Sequence, residues 1–169
     1  NSQLTHMGEL CEVAISRAAM ALRNGDSNQA MNVVEADQEI DHMEKDIERL
    51  CLRLLLQQQP VARDLRQISA ALKMITDMER IGDQAADISE IVTYMSEENI
   101  IQELDRIDAM ARASSQMVTQ SVDAYVKKDL DLAKKVIEDD DAVDRLFEEI
   151  KRELIKMIAA DPGCGEQAL

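Results

Sequence analysis

Glu79 and Asp83 stand one helical turn apart in the segment Glu79-Arg80-Ile81-Gly82-Asp83. At about 100° per residue, Glu79 falls at about 0° and Asp83 at about 40°. Leu65, Ile68, Leu72, Ile75 and Ala86 fall between about 320° and 40° on the same wheel. The two carboxylates are therefore expected on the apolar face. A buried, unpaired carboxylate is costly or takes up a proton. Compensation is expected from a cation, from Arg80, or from water in a polar seam.

A second set of acids precedes these. With Asp37 at about 0°, Asp41 falls at about 40°, Glu44 at about 340° and Glu48 at about 20°. The apolar stripe of Val33, Ile40, Met43, Ile47, Cys51 and Leu54 spans about 240° to 320°. These acids border the core, so Asp37 and Asp41 can meet Glu79 and Asp83 across a helix seam. Asp87, at about 80° on the later helix, extends the cluster from its rim. Such an oxygen-rich cage suits hard cations: magnesium, manganese, calcium or ferric iron. No His lies in the seam, so a zinc site built on imidazole is not expected. The alternative is a solvated acidic edge satisfied by Arg80 and water.

Other chemistry-bearing patterns are weaker. Glu39-x-x-His42 has the spacing of a di-iron ligand pair, but both residues turn away from the seam and no second copy exists. His6 reads as a surface residue. Arg63 and Arg66 open a helix, where the dipole disfavours cations. They are expected to pair with the chain's own acids or to contact an anion or partner. The chain has no phosphate-cradling Gly loop, no nucleophile–His arrangement and no aromatic-interleaved basic patch.

The elements that must position these acids are helical. Five Gly, two Pro, ten Met and only three aromatic residues in 169 point to an all-α chain. A formal charge of -15 disfavours nucleic acid and anionic membrane as partners. Without a run of eighteen apolar residues, no direct membrane insertion is expected. Cys11, Cys51 and Cys164 show no C-x-x-C spacing and read as reduced thiols of a cytoplasmic protein.

Periodicity predicts five helices: Gln3 to Arg23, Ser27 to Leu56 with Asp26 as N-cap, Pro60 to Met95, Ile100 to Lys127, and Asp129 to Ala160. Breaks are expected at Asn24-Gly25, Gln57 to Pro60 and Ser96 to Asn99. A turn is expected at Asp161-Pro162-Gly163-Cys164-Gly165. Residues 26–56 overlay the fifth helix at an offset of 103 without gaps. The pairs Asp26/Asp129, Ala30/Ala133, Val33/Val136, Glu35/Glu138, Asp37/Asp140, Asp41/Asp144, Ile47/Ile150 and Arg49/Arg152 are identical. Apolar patterning alone does not require the matched Asp-x-x-x-Asp. The repeat divides the chain into 1–97, with three helices, and 98–169, with two helices and no third. Val136, Val143, Phe147, Ile150 and Leu154 are expected to line a groove covered by the first bundle or by a second copy.

Gln57-Gln58-Gln59-Pro60-Val61-Ala62-Arg63-Asp64-Leu65-Arg66, followed by Asp77-Met78-Glu79-Arg80-Ile81-Gly82-Asp83, resembles the PhoU family of phosphate-uptake regulators. Glu35-x-Asp37-x-x-x-Asp41 and Glu138-x-Asp140-x-x-x-Asp144 fit that family's acidic helices. The resemblance implies tandem three-helix bundles, the second incomplete here. It also implies a metal centre, often iron or zinc, with zinc, iron, magnesium and manganese all remaining open. The matching ligands are Asp37, Asp41, Glu79 and Asp83, with Asp140 and Asp144 in the second repeat; these two lack facing acids. The implied protein is cytoplasmic, non-catalytic and homo-oligomeric. Its implied partners are a phosphate ABC transporter ATPase and a membrane sensor histidine kinase, and its implied effect is to restrain the phosphate-starvation response. The competing readings are a metal-dependent carboxylate enzyme and a metal-free helical scaffold.

Overall fold

A computed structural model describes residues 1–58, 61–95 and 104–160. Within them the chain forms five helices and no strand: α1 Ser2–Asn24, α2 Ser27–Gln58, α3 Ala62–Tyr94, α4 Leu104–Lys127 and α5 Leu130–Ala160. The expectations for Pro60, Ser96 to Asn99 and Asp161 to Gly165 lie outside the described residues.

The helix ends follow local chemistry. Gly25 closes α1 at φ 62°, in the left-handed region that glycine adopts without penalty. Asp26 then caps α2: its Oδ1 accepts the amides of Asn28 and Gln29, both at 3.0 Å. The same device recurs 103 residues later. Lys128 takes φ 58° at the end of α4, and Asp129 Oδ1 accepts the amides of Asp131 and Leu132 at 3.1 and 3.0 Å. The Asp26 amide reaches Ala21 O, and the Asp129 amide reaches Ala124 O. The internal repeat thus extends to individual hydrogen bonds in the two turns.

α1, α2 and α3 form a three-helix bundle, and α4 with α5 forms a hairpin. α1 also packs on α4, so it touches three of the four other helices, whereas α5 packs only on α4. The main core joins Leu4, Met7 and Cys11 of α1 to Ile40, Ile47 and Cys51 of α2, Ala71, Ile75 and Met78 of α3, and Val122 of α4. Small residues set the closest approaches. A Cβ on Gly8 would lie 3.0 Å from Val122 Cγ2 at the α1–α4 crossing. Polar ties span that crossing: Thr119 Oγ1 donates to Glu12 at 2.6 Å, and Arg23 pairs with Asp108 at 2.6 Å. At the other end the Tyr125 hydroxyl donates to Gln67 O of α3 at 2.7 Å.

Candidate metal centre

α2 and α3 run antiparallel, and at one point along them α3 carries no side chain. A Cβ on Gly82 would lie 2.5 Å from Asp37 Oδ1 and 2.9 Å from Ile40 Cδ1. The bare Gly82 backbone therefore makes the space into which Asp37 turns. Asp37 Oδ1 is shut off from solvent and has no hydrogen-bond partner among the described residues. A buried acceptor left unpaired costs roughly 1–3 kcal/mol, more when charged. One carboxylate oxygen each from Asp37, Asp41 and Asp83 lies within 4.8 Å of the other two. Oxygen ligands at roughly 2.0–2.6 Å around a single cation span about that distance.

The electrostatics have the same centre. Burial, followed by the charges of Asp83, Asp41, Glu79 and Asp87, pushes the Asp37 carboxyl up to about 6. Glu79 is also raised, first by burial and then by Asp83, Asp41 and Glu44, with Arg80 opposing. Arg80 is exposed and forms no ion pair among the described residues, so the compensation expected from it is partial and acts at a distance on Glu79. The nearest cation is Lys45 Nζ, 3.8 Å from Asp41 Oδ2. An orphaned buried oxygen, a cradle that a Cβ would fill and an all-carboxylate donor set together fit a hard cation.

The structure revises the placement of the acids on α3. Glu79 is half-buried, and Asp83 and Asp87 are exposed. The buried residues of α3 are Ala71, Ile75, Met78, Gly82, Ala85, Ala86, Ser89 and Val92. They centre about 80° away from Glu79. Small residues carry that face, and a stripe drawn through large apolar residues missed it. The acids consequently form the edge of the α2–α3 seam, level with Asp37 and Asp41, and not its floor. Leu65, assigned to the apolar stripe, is 49% exposed.

Asp140 and Asp144 are exposed and join no carboxylate cluster among the described residues. Their helix packs on α4 and not on the α2–α3 seam that carries the other acids. Glu39 and His42 are exposed too, and the His42 ring nitrogen meets its own helix at Gln38 O, 2.5 Å away. Cys11 and Cys51 are free and buried. Burial, with Asp37 nearby, pushes the Cys11 thiol up to about 12, and it donates to Met78 O at 3.3 Å. Such a thiol is inert.

The expected groove is covered only in part. α4 buries Val136 and Ile150, Val143 and Leu154 are half-buried, and Phe147 is 53% exposed. A cavity of about 550 Å³ lies between α1, α3, α4 and α5, and one of about 460 Å³ between α3, α4 and α5, both touching Ile81 and Val143. A third, of about 700 Å³, opens between Arg66, Tyr125 and Val136. No described helix is long and apolar enough to cross a membrane.

Comparison with known proteins adds a family to this geometry. A family model described as the PhoU domain matches residues 4–92 and 107–168. A protein of Aquifex aeolicus named "Phosphate-specific transport system accessory protein PhoU homolog" is 39% identical over 95% of this chain and 72% of its own length. The "Phosphate-specific transport system accessory protein PhoU" of Escherichia coli K12 is 32% identical over 95% of this chain and 66% of its own. The crystal structure of PhoU from Pseudomonas aeruginosa superposes with a TM-score of 0.93 at 33% identity, covering 99% of this chain and 80% of that one.

Proposed function

We propose that this chain, which belongs to the PhoU family, is a regulatory adaptor of phosphate transport that works by contact and not by catalysis. The observation that carries the reading is likeness along 95% of the chain to proteins named as accessory to phosphate-specific transport. In this reading its helix surfaces bind the ATPase of a phosphate ABC transporter and a membrane sensor histidine kinase. By favouring one conformation of each, it restrains uptake and the starvation response when phosphate is plentiful. It acts in the cytoplasm as a homo-oligomer, with 1–97 and 98–169 as its two units. The apolar side chains that α5 leaves exposed, Ile137, Phe147 and Ile155, suit self-association.

Asp37, Asp41 and Asp83 would hold the metal, with Glu79 and Asp87 adding charge from the rim. The cation supplies positive charge that removes the repulsion between these acids and fastens α2 to α3. Iron, zinc, magnesium and manganese are the candidates, and the all-oxygen donor set favours the harder ions. Asp140 and Asp144, without facing acids, are left out of the site.

The test is complementation. In cells deleted for their own copy and kept in ample phosphate, this chain should restore repression of a phosphate-starvation reporter. Reporter output that stays high despite normal protein levels would overturn the adaptor reading. Elemental analysis after chelator-free purification tests the metal: about one equivalent is expected in the wild type and none in Asp37→Asn.

A further inference from the structure

The cavity of about 700 Å³ beside the α4–α5 turn joins an apolar lining to three cations. Ala124 and Val136 are its buried part, and Leu130 and Ile137 stand beside them with their side chains largely open. Arg63 and Arg66 of α3 and Lys128 of the turn also line it, and all three are exposed. The chain holds 34 acids and carries a net charge of -15, and the neighbouring Lys127 pairs with Asp123 at 2.7 Å. None of the three cavity cations forms an ion pair among the described residues. Asp129, the one acid of the lining, has its Oδ1 taken up by the amides of Asp131 and Leu132.

Two of these cations stand where they cost stability. Arg63 lies in the first turn of α3, where the helix dipole opposes positive charge. Lys128 takes φ 58°, a left-handed conformation that a residue with a Cβ adopts at a penalty. Its counterpart 103 residues earlier is Gly25, at φ 62°. The two turns share their caps and their hydrogen bonds. Glycine therefore suffices for the turn, and what lysine adds is a cation at the cavity.

We infer that this cavity binds a soluble organic phosphate: a phosphate monoester whose ester group is apolar or aromatic. The two guanidinium forks and the ammonium match the charge and the three oxygens of a phosphate dianion, which exceeds what one carboxylate offers. The volume falls within the roughly 300–1,000 Å³ of small-molecule sites. Inorganic phosphate would leave the apolar lining uncovered. The apolar lining alone has a rival occupant. Ala21 and Ala30, the counterparts of Ala124 and Ala133, pack with Val92 of α3, so a surface of this kind also seats a helix. A helix seat does not call for the cations, and the first repeat keeps Gly25 in the place of Lys128. The same phosphate group on a lipid is the poorer match, because an anionic membrane repels the strongly acidic chain.

The experiment is equilibrium dialysis of the full chain against naphthyl phosphate, in chelator and at low and high salt. Naphthol, which lacks the charge, and inorganic phosphate, which lacks the apolar body, should each bind roughly tenfold more weakly or worse. Arg63→Ala with Arg66→Ala should weaken binding of naphthyl phosphate about tenfold or more and flatten its salt dependence. Lys128→Gly should weaken it about fivefold while raising the melting temperature, so that this loss cannot be a loss of fold. A control on α5 outside the cavity, Arg145→Ala with Arg152→Ala, should stay within about twofold of wild type. Failure of naphthyl phosphate to bind, or equal binding by wild type and the cavity variants, overturns the inference. Naphthol bound as tightly as its phosphate leaves only an apolar seat and overturns it too. Sedimentation of the protein with phosphatidic acid vesicles, lost in the double arginine variant, would assign the site to a lipid and overturn the soluble ligand. The adaptor reading is untouched by each of these results, because complementation tests it separately.

Discussion

Asp37→Asn should stabilise the metal-free protein even though it removes a proposed ligand. Asp37 is pushed from an ordinary 3.8 to about 6 in the folded chain. A carboxyl raised by folding contributes its stability in the protonated form. That contribution is complete below pH 3.8 and is lost as pH rises through about 6. The difference corresponds to about 3 kcal/mol as an upper bound. Asp37 is only half-buried, and screening by solvent reduces the effect to roughly 1–2 kcal/mol. Asparagine has nearly the same shape, so it still fits the cradle at Gly82, carries no charge and can donate to Asp41 or Asp83. In chelator, urea unfolding of the wild type should show stability falling between about pH 4 and pH 6. Asp37→Asn should show a shallower fall and exceed the wild type by roughly 1–2 kcal/mol at pH 7.5. Manganese or magnesium should then raise the wild-type midpoint and leave that of the variant in place. An Asp37→Asn protein less stable than wild type in chelator, with an unchanged pH slope, would refute the account of Asp37 as a strained carboxylate.

Further expectations concern packing and the turns. Gly82→Ala places a methyl 2.5 Å from Asp37 Oδ1 and 2.9 Å from Ile40 Cδ1; the α2–α3 seam should open, costing roughly 1–3 kcal/mol and abolishing metal-induced stabilisation in thermal melts. Tyr125→Phe removes the hydroxyl that bonds Gln67 O between α4 and α3, and should cost about 1 kcal/mol in urea titration. Lys128→Gly relieves a left-handed residue at φ 58° and should stabilise by about 1 kcal/mol, the value expected at this backbone conformation. Asp140→Asn with Asp144→Asn should leave metal content and metal-induced stabilisation unchanged, because neither residue belongs to the cluster.

The helices were legible where apolar period, cap and breaker agreed, as at the two turns; where they did not, α3 begins at Ala62 after an extended Val61 that offers no side-chain cap, later than the expected start at Pro60. Asp26 caps α2 as expected, and α4 ends at Lys127 as expected. The repeat was legible as well, because turn chemistry and helix pattern recur at one offset. The rotation of α3 was not. Its buried face is built from Ala71, Gly82, Ala85, Ala86 and Ser89, which a wheel weighted toward large side chains ignores. That Asp37, Asp41 and Asp83 meet was readable from their placement beside the apolar stripes of adjoining helices, whereas Glu79, expected to converge with them, stands outside the trio. What spacing could not show was that Asp37 turns inward. The one available signal was Gly82, a residue that costs about 1 kcal/mol within a helix and is usually kept there for a packing reason.

α1 touches α2, α3 and α4, while α5 touches only α4. This arrangement implies an order in time. Detaching α5 exposes one helix face and leaves every other interface intact, so it can lift and return while the remainder stays folded. Detaching α1 removes the partner of three helices at once and amounts to global unfolding. Amide protons of α5 should therefore exchange with solvent by brief partial openings, and those near Met7 and Cys11 only when the whole molecule comes apart. The protein is a stable bundle carrying one helix on a faster clock.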